Sequence, residues 1–350
     1  MRNTSACAIM LGKIGMANEV EHNRSEIFVV VPSYNHAPFV EQCLRSIFDQ
    51  TLHPKKLLVI DDGSTDSSPK IIEASLKNCP FDCEMIVREN RGLSFTLNQG
   101  FALSDGKYFA YLGSDDYWLP NLLAERCRLL EARTDAVLAY GHSLVVDESN
   151  KIVDCSVDHP SGWGNFTDGN ALKMLLAASA PVSSSVVYRR SALDQVSWNE
   201  SARLEDYEMY LSLSRLGSFA FDPQILSAWR RHSYNTSRDC EMMLSEVVKA
   251  QRRLASALGL SESALSSARD RSAFLYARNA LASGAKLLAF RLALKHWRGA
   301  NSPTDFAKFF LRLATPMFVV NAGRKIKRNG TSQRYGQLQA GFAVPDSFRK

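Results

Sequence analysis

From Glu26 onward, short β-branched apolar runs alternate with stretches in which apolar residues return every three or four positions. That rhythm predicts an α/β fold, a central, mostly parallel sheet covered by helices. Residues 27–31 read as a buried first strand, and Pro38 suits the first turn of a helix whose apolar positions are Val40, Cys43, Leu44, Ile47 and Phe48. Further strands are expected at 57–60, 84–87 and 108–112, with helices opening at Pro69, Leu93 and Pro120 between and after them. Beyond about residue 135 the pattern is mixed. Strand-like runs at 137–140, 144–146, 185–188 and 225–229 surround a helix near 206–216, and from Cys240 to Lys327 the chain reads as almost wholly helical.

Charge divides the chain unevenly. Residues 286–350 hold 13 Lys/Arg and two acids, a net of +11, so the remainder carries −5 of a total of +6. A mildly acidic body excludes general nucleic-acid binding, and a basic tail fits an anionic surface such as a membrane leaflet. The seven cysteines, Cys7, Cys43, Cys79, Cys83, Cys127, Cys155 and Cys240, form neither a CxxC pair nor a zinc-spaced cluster, as free thiols in a reducing compartment would. No uninterrupted apolar run is long enough to span a bilayer. Lys13 interrupts the apolar part of residues 1–25, which read as a loose extension rather than a signal peptide.

In an open α/β sheet, ligands bind at the carboxyl ends of the strands. Three polar clusters follow apolar strands here: Pro32-Ser33-Tyr34-Asn35, Asp61-Asp62-Gly63-Ser64 and Gly113-Ser114-Asp115-Asp116. The sheet should bring them to one rim. Tyr34 can stack on a nucleobase, and Asp62 can accept from a base N–H or a ribose hydroxyl. Alone, the Asp61-Asp62 segment is as readily a turn and helix cap. Asp115 and Asp116 are adjacent carboxylates that repel unless a cation compensates them, and hard oxygen ligands suit Mg²⁺ or Mn²⁺. Capping of the following helix is the structural alternative.

The ordered segments VVVPSYNHAPFVEQCLRSIFDQT, LLVIDDGSTDSS and ENRGLSFTLNQGFALSDGKYFAYLGSDDYWLP resemble family 2 glycosyltransferases of the GT-A fold, over residues 26–135 and more loosely to 238. The resemblance implies an inverting, metal-dependent enzyme that binds a nucleotide-sugar donor. By it, Pro32 and Tyr34 line the base pocket, Asn35 next to them belongs to the nucleotide-sugar site, Asp62 binds the base, and Asn90, Gly92 and Asn98 run beneath the nucleotide. Asn98 could equally serve as a structural hydrogen-bonder to a neighbouring loop. Asp116 would be the principal metal ligand, holding Mn²⁺ or Mg²⁺, with Asp115 on the ribose or a metal-bound water. Asp206, in Arg203-Leu204-Glu205-Asp206-Tyr207-Glu208, matches the catalytic base, with Glu205 and Glu208 as rivals. His232 matches a residue near the metal or diphosphate, and Arg230 or Arg231 would balance the leaving charge. The QxxRW motif of the processive members is missing, so one sugar per acceptor is expected.

The expected domains are an extension (1–25), a GT-A catalytic domain (26–238, divided at 135/136 into nucleotide and acceptor halves), a helical basic appendage (239–328) and a disordered tail (329–350). Leu287, Phe290 and Leu294 alternate with Arg291 and Lys295, as in helices lying on an anionic leaflet, and the run Arg324-Lys325-Ile326-Lys327-Arg328 would close the basic surface. The expected reaction moves one sugar from a UDP- or dTDP-sugar to a saccharide acceptor, lipid-linked in the favoured reading. It would serve bacterial surface polysaccharide synthesis, on the inner face of the cell membrane. A sugar nucleotidyltransferase is the rival enzyme, but the loop after the first strand lacks the Gly-rich, basic sequence it needs. A non-catalytic carbohydrate-binding relative is the other alternative. Oligomeric state is not legible in the sequence.

Overall fold

The computed structural model describes residues 26–158, 169–232 and 239–339. Among them, β1 (Ile27–Ser33), β2 (Lys56–Asp61), β3 (Cys83–Val87) and β4 (Tyr108–Tyr111) pair in parallel in the order β3-β2-β1-β4. The sheet then turns mixed. β4 meets β8 (Val187–Arg189) antiparallel, and β8 leads to β6 (Ala136–Asp147), then β9 (Ser218–Arg231) and the short β5 (Tyr117–Trp118), with β7 (Ile152–Cys155) on the side of β6. Helices Val40–Phe48, Ser68–Leu76 and Leu93–Ala102 make the crossovers between the parallel strands.

The two-residue period of a strand is plain in β1. Ile27, Val29 and Val31 enter one core with Val40, Leu44 and Leu57, whereas Phe28 and Val30 enter the other with Leu97 and Tyr111. Burial on both faces is why this strand is continuously apolar.

Three expectations are adjusted. The first helix begins at Val40, two residues after Pro38, because the N–H groups of Phe39 and Val40 both bond the His36 carbonyl in a tight turn. The runs at 137–140 and 144–146 are one strand, β6. The polar break between them stays buried because Ser156 Oγ lies 3.0 Å from His142 Nδ1 and accepts from Ser143 N. The run at 225–229 is the end of the longer β9, which pairs with β6 in parallel through register shifts at Gly141 to Ser143.

Four further helices, Cys240–Leu254, Glu262–Ser283, Lys286–Lys295 and Pro303–Ala314, precede the last, Met317–Tyr335. The first is no separate appendage, since Val247 and Ala250 share the core of Tyr207 and Tyr210. The next three form a small core of their own around Phe274, Leu281, Ala289 and Phe309. The segment from 329, read from sequence as disordered, continues the last helix to Tyr335. Its hydroxyl lies 3.3 Å from Asp158, and its ring is buried among Tyr117, Leu144, Val146 and Ile152. Lys327 and Arg328 also turn inward, to Asp154 at 3.0 Å and Asp147 at 3.1 Å, and Arg334 pairs with Asp158 at 3.2 Å. The alternating charge that suggested a free basic surface is here partly neutralised by the acidic body. Residues 1–25 and 340–350 lie outside the described residues.

Candidate active site

The three strand-end clusters converge because β1, β2 and β4 are neighbours in register. The first two are knitted together by hydrogen bonds. Asn35, at φ 54°, donates its N–H to Ser64 Oγ at 2.8 Å and accepts at Oδ1 from Thr65 N at 2.8 Å, and Ala37 N donates to Asp66 at 3.0 Å. Asn35 is therefore engaged in fixing the loop after β2. Pro32 is buried within β1, while Tyr34 is 46% exposed above it, free to offer its ring to a ligand.

The two aspartates at the end of β2 have different work. Asp61 caps its own turn, accepting from Ser64 N at 2.9 Å and Ser64 Oγ at 2.7 Å. Asp62 faces the next loop. It accepts from Arg91 N at 2.9 Å and Gly92 N at 2.8 Å, and is ion-paired with Arg88. Between these aspartates and that loop only glycine fits at 63. Its φ is +78°, and an added Cβ would stand 2.7 Å from Asn90 N. Asn90 thus packs against the turn at Gly63 through its backbone, with its side chain exposed. Asn98 bridges to a neighbouring segment, donating to Trp198 O at 2.9 Å and accepting from Trp198 N at 3.0 Å, the structural role weighed from its sequence.

The pair Asp115-Asp116 sits in the turn between β4 and β5, where Arg230 of β9 holds both residues. Its N–H donates to Asp116 Oδ1 and its Nε to the Asp115 carbonyl, each at 2.8 Å. The rest of the guanidinium bonds the Asp147 carbonyl at 3.0 Å and Gln42 Oε1 at 2.7 Å, and lies over the Phe39 ring. Arg230 is thus spent on fixing the loop rather than left facing a leaving group. Arg231 is exposed beside Trp229.

The carboxyl groups diverge. Asp116 is 5% exposed, and burial, then the Asp115 charge, hold its carboxyl well above the usual range. Burial pushes Asp115 up as well, but the His232 hydrogen bond and the facing imidazoles outweigh it and leave the group lowered. His232 Nε2 lies 2.9 Å from Asp115 Oδ2, with its ring stacked on Phe39 at 5.4 Å, and His36 Nδ1 lies 3.9 Å from Asp115 Oδ1. Among the described residues, the ligand atoms of His36, Asp115 and His232 lie within 4.8 Å of one another. Burial, the largest influence on His36, lowers its pKa and favours the neutral imidazole that a metal requires. A carboxylate and two imidazoles, beside a second carboxyl whose pKa burial and then the Asp115 charge raise, make a donor set that a divalent cation would complete. The mixed nitrogen and oxygen ligands fit Mn²⁺ better than Mg²⁺, which holds to oxygen.

On the other side of Gly92 lies a cavity of about 530 Å³, lined among others by Arg91, Gly92, Phe95, Arg203, Glu205 and Asp206. Asp206 stands in the first turn of the Glu205–Leu213 helix, its Oδ1 accepting from Tyr207 N at 2.6 Å. Burial raises its pKa to about 6, and burial with the Asp206 charge raises Glu205 to about 8. A carboxylate poised near 6 can accept a proton at neutral pH. Glu208 is out of contention, bound by Arg253 and by Asn199 Nδ2 at 3.0 Å.

Of the sequence-predicted residues, then, Tyr34, Asp62, Gly92, Asp115, Asp116 and His232 lie at or against the strand ends, Asp206 lies in the cavity beyond Gly92, and Asn35 and Asn98 brace these loops. The segment 233–238, part of the Arg/His-bearing stretch, lies outside the described residues. His36, Phe39 and Arg88 were missed. His36 directly follows a recognised cluster, and an imidazole one residue past a strand end was the available signal. Arg88 and Phe39 act only across loops, which no local pattern reveals.

A parallel half-sheet with a polar strand-end rim, paired carboxylates after its fourth strand and a carboxylate-bearing cavity beside it make up a fold of the GT-A type. Residues 28–196 match the model of Glycosyl transferase family 2, and the domain they form belongs to that family. The chain is 30% identical over 176 residues to the glycosyltransferase alr2836 of Nostoc sp., covering 49% of this chain and 53% of that one. It is 29% identical over 212 residues to chondroitin synthase of Escherichia coli, covering 60% of this chain and 30% of the synthase. The matches thus span about half or less of these relatives. In fold it resembles the mannosyltransferase PcManGT from Pyrobaculum calidifontis, solved in complex with GDP-Man and Mn2+, with a TM-score of 0.55 at 17% identity over 89% of this chain and 87% of that one.

Proposed function

We propose that this protein transfers one sugar, with inversion, from a UDP- or dTDP-linked donor to a saccharide acceptor, lipid-linked, in bacterial surface polysaccharide synthesis. The observation that carries the reading is the double role of Gly92. Its N–H holds Asp62 of the donor rim, and its backbone lines the cavity that contains Asp206, so donor and acceptor sides meet at one wall. Polysaccharide synthesis is supported by the similarity to chondroitin synthase, and a nucleotide-sugar donor by the fold shared with the GDP-Man complex.

In this reading Tyr34 stacks on the base, and Asp62, oriented by Arg88 and two backbone donors, accepts from the base edge. His36, Asp115 and His232 would hold the cation, with Asp116 behind Asp115 as the buried second carboxyl. When bound, Mn²⁺ or Mg²⁺ would offset the charge developing on the departing nucleoside diphosphate. Asp206 takes the proton from the acceptor hydroxyl as the new bond forms, and Glu205, protonated at neutral pH, leaves Asp206 the only ionised carboxylate of the pair. Which aspartate dominates metal binding is read by comparing Asp115→Asn with Asp116→Asn. The geometry favours the larger loss of metal affinity for Asp115→Asn, whereas the resemblance alone favoured Asp116.

No helix among the described residues is long and apolar enough to cross a membrane. Peripheral attachment fits the exposed apolar residues of the basic helices, with Leu287, Leu311 and Phe318 each about three-quarters exposed. The function is tested by a panel of nucleotide sugars with Mn²⁺ or Mg²⁺, scored by released nucleoside diphosphate. No release with any donor, in a folded protein, would sink it.

A further inference from the structure

A second depression, far from the donor rim in sequence, opens among the C-terminal helices. It measures about 470 Å³, and its wall includes Arg252, Arg269, Asp270, Lys295, Trp297 and Arg298. Four cations therefore face one carboxylate. That carboxylate is already engaged: Asp270 Oδ1 lies 2.8 Å from His296 Nδ1 and 3.7 Å from Arg269 Nε. Arg252, Lys295 and Arg298 have no ion-pair partner among the described residues. Arg269 is partly buried, and its Nε–H makes no hydrogen bond. Concentrating like charges without counter-ions costs stability unless an anion is to be bound.

The depression is also fixed in shape. The turn Trp297–Gly299 lies so close to the Glu262–Ser283 helix that a Cβ on Gly299 would stand 1.9 Å from the Asp270 carbonyl, and the His296 contact pins the same turn. An anion would thus meet a preformed cradle.

The surroundings indicate where the anion comes from. Along the Lys286–Lys295 helix and into the turn, Leu287, Phe290, Leu294 and Trp297 follow spacings of three, four and three and are 74%, 41%, 57% and 55% exposed. The opposite face of that helix is spent on its core through Ala289 and Ala293. An apolar ridge ending in a tryptophan at a cationic pocket matches the boundary between acyl chains and headgroups, whereas a soluble phosphate would have no use for the ridge.

We propose that this pocket binds the phosphate of an anionic phospholipid headgroup, with the ridge from Leu287 to Trp297 entering the leaflet beside it. This deepens the peripheral reading given above and rests on it for the source of the phosphate. The full chain is measured for co-sedimentation at low salt with phosphatidylcholine vesicles, with and without phosphatidylglycerol. Two triple variants of equal charge are compared, Arg252→Gln/Lys295→Gln/Arg298→Gln in the pocket and Lys308→Gln/Arg312→Gln/Lys325→Gln outside both pocket and ridge. The expected result is binding to the anionic vesicles, weakened about a hundredfold by the pocket variant, at roughly tenfold for every 1.4 kcal/mol and about 1 kcal/mol per basic residue at the surface, and within about threefold of wild type for the outside variant. Equal losses in both would show general charge attraction and overturn the pocket. In a parallel titration, Trp297 emission is followed with inorganic phosphate, using Trp297→Phe to isolate the signal. Tight binding of phosphate alone, with no vesicle binding, would make the ligand a soluble phosphate and overturn the lipid assignment. Nucleoside diphosphate release by the pocket variant, assayed without vesicles, stays at the wild-type level, so a failed vesicle result leaves the transfer reading standing and a failed transfer result leaves the pocket standing.

Discussion

Asp206 is the residue whose chemistry is most exposed to test. Removing a general base costs on the order of a hundredfold to ten-thousandfold, so Asp206→Asn should lose transfer to that extent while keeping donor affinity, measured by nucleotide titration. With burial raising Asp206 to about 6 and Glu205 to about 8, kcat/KM should rise with pH through about 6. The same shifts fix the sign of a stability effect. Both carboxyls have folded pKa values above their unfolded ones, so the folded state binds more protons, and stability is full below the unfolded values and lost as pH climbs toward 8. Asp206→Asn should therefore raise the melting temperature at pH 8 and leave it nearly unchanged at pH 4. An equal shift at both values would show that the carboxylate carries no burial penalty. The sequence made Asp206 legible because it opens a helix inside a recognisable acidic run. It hid His36, whose part depends on a contact with His232, 196 positions away, at 5.4 Å between rings.

At the level of elements, the parallel strands and their crossover helices were legible because a strand buried on both faces leaves an unbroken apolar run, and its helices keep their spacing. The long β6 and β9 were not, since Gly141 and His142 interrupt the run and are accommodated only through Ser156, Arg126 and Asp222 of other elements. The end of the last helix, from residue 329, was misread for the same reason. Its polar composition resembles a free tail, and only the acids of β6 and β7 and the cavity for Tyr335 make it an ordered part. Through Asp147, whose carboxylate takes Arg328 and whose carbonyl takes Arg230, this helix reaches the loop of Asp115 and Asp116. Arg328→Ala, which breaks a half-exposed pair, should cost about 0.5 kcal/mol in denaturant unfolding. Tyr335→Ala, which empties part of a core, should cost about 3 kcal/mol. It should also make the last helix the first site of proteolysis, and a variant as resistant as wild type would show that the helix does not depend on that anchor.

Across the whole molecule, an acidic body bearing the proposed transfer site is joined to a basic helical end with an apolar ridge, an arrangement that would hold the donor rim near a surface-bound acceptor. Attachment should weaken as salt rises, because the exposed charges are screened over about 10 Å at 0.1 M, while nucleoside diphosphate release with a soluble acceptor stays level. All of this rests on the rim of Asp62, Asp115 and His232, with the neighbouring cavity of Asp206, being a metal-dependent transfer site. The direct measurement is nucleoside diphosphate release from the preferred donor, before and after chelation and Mn²⁺ re-addition, by wild type and Asp115→Asn. The account predicts release that chelation abolishes and Mn²⁺ restores in wild type, and that Mn²⁺ restores poorly in the folded variant. Release indifferent to chelation and to Asp115→Asn would contradict it.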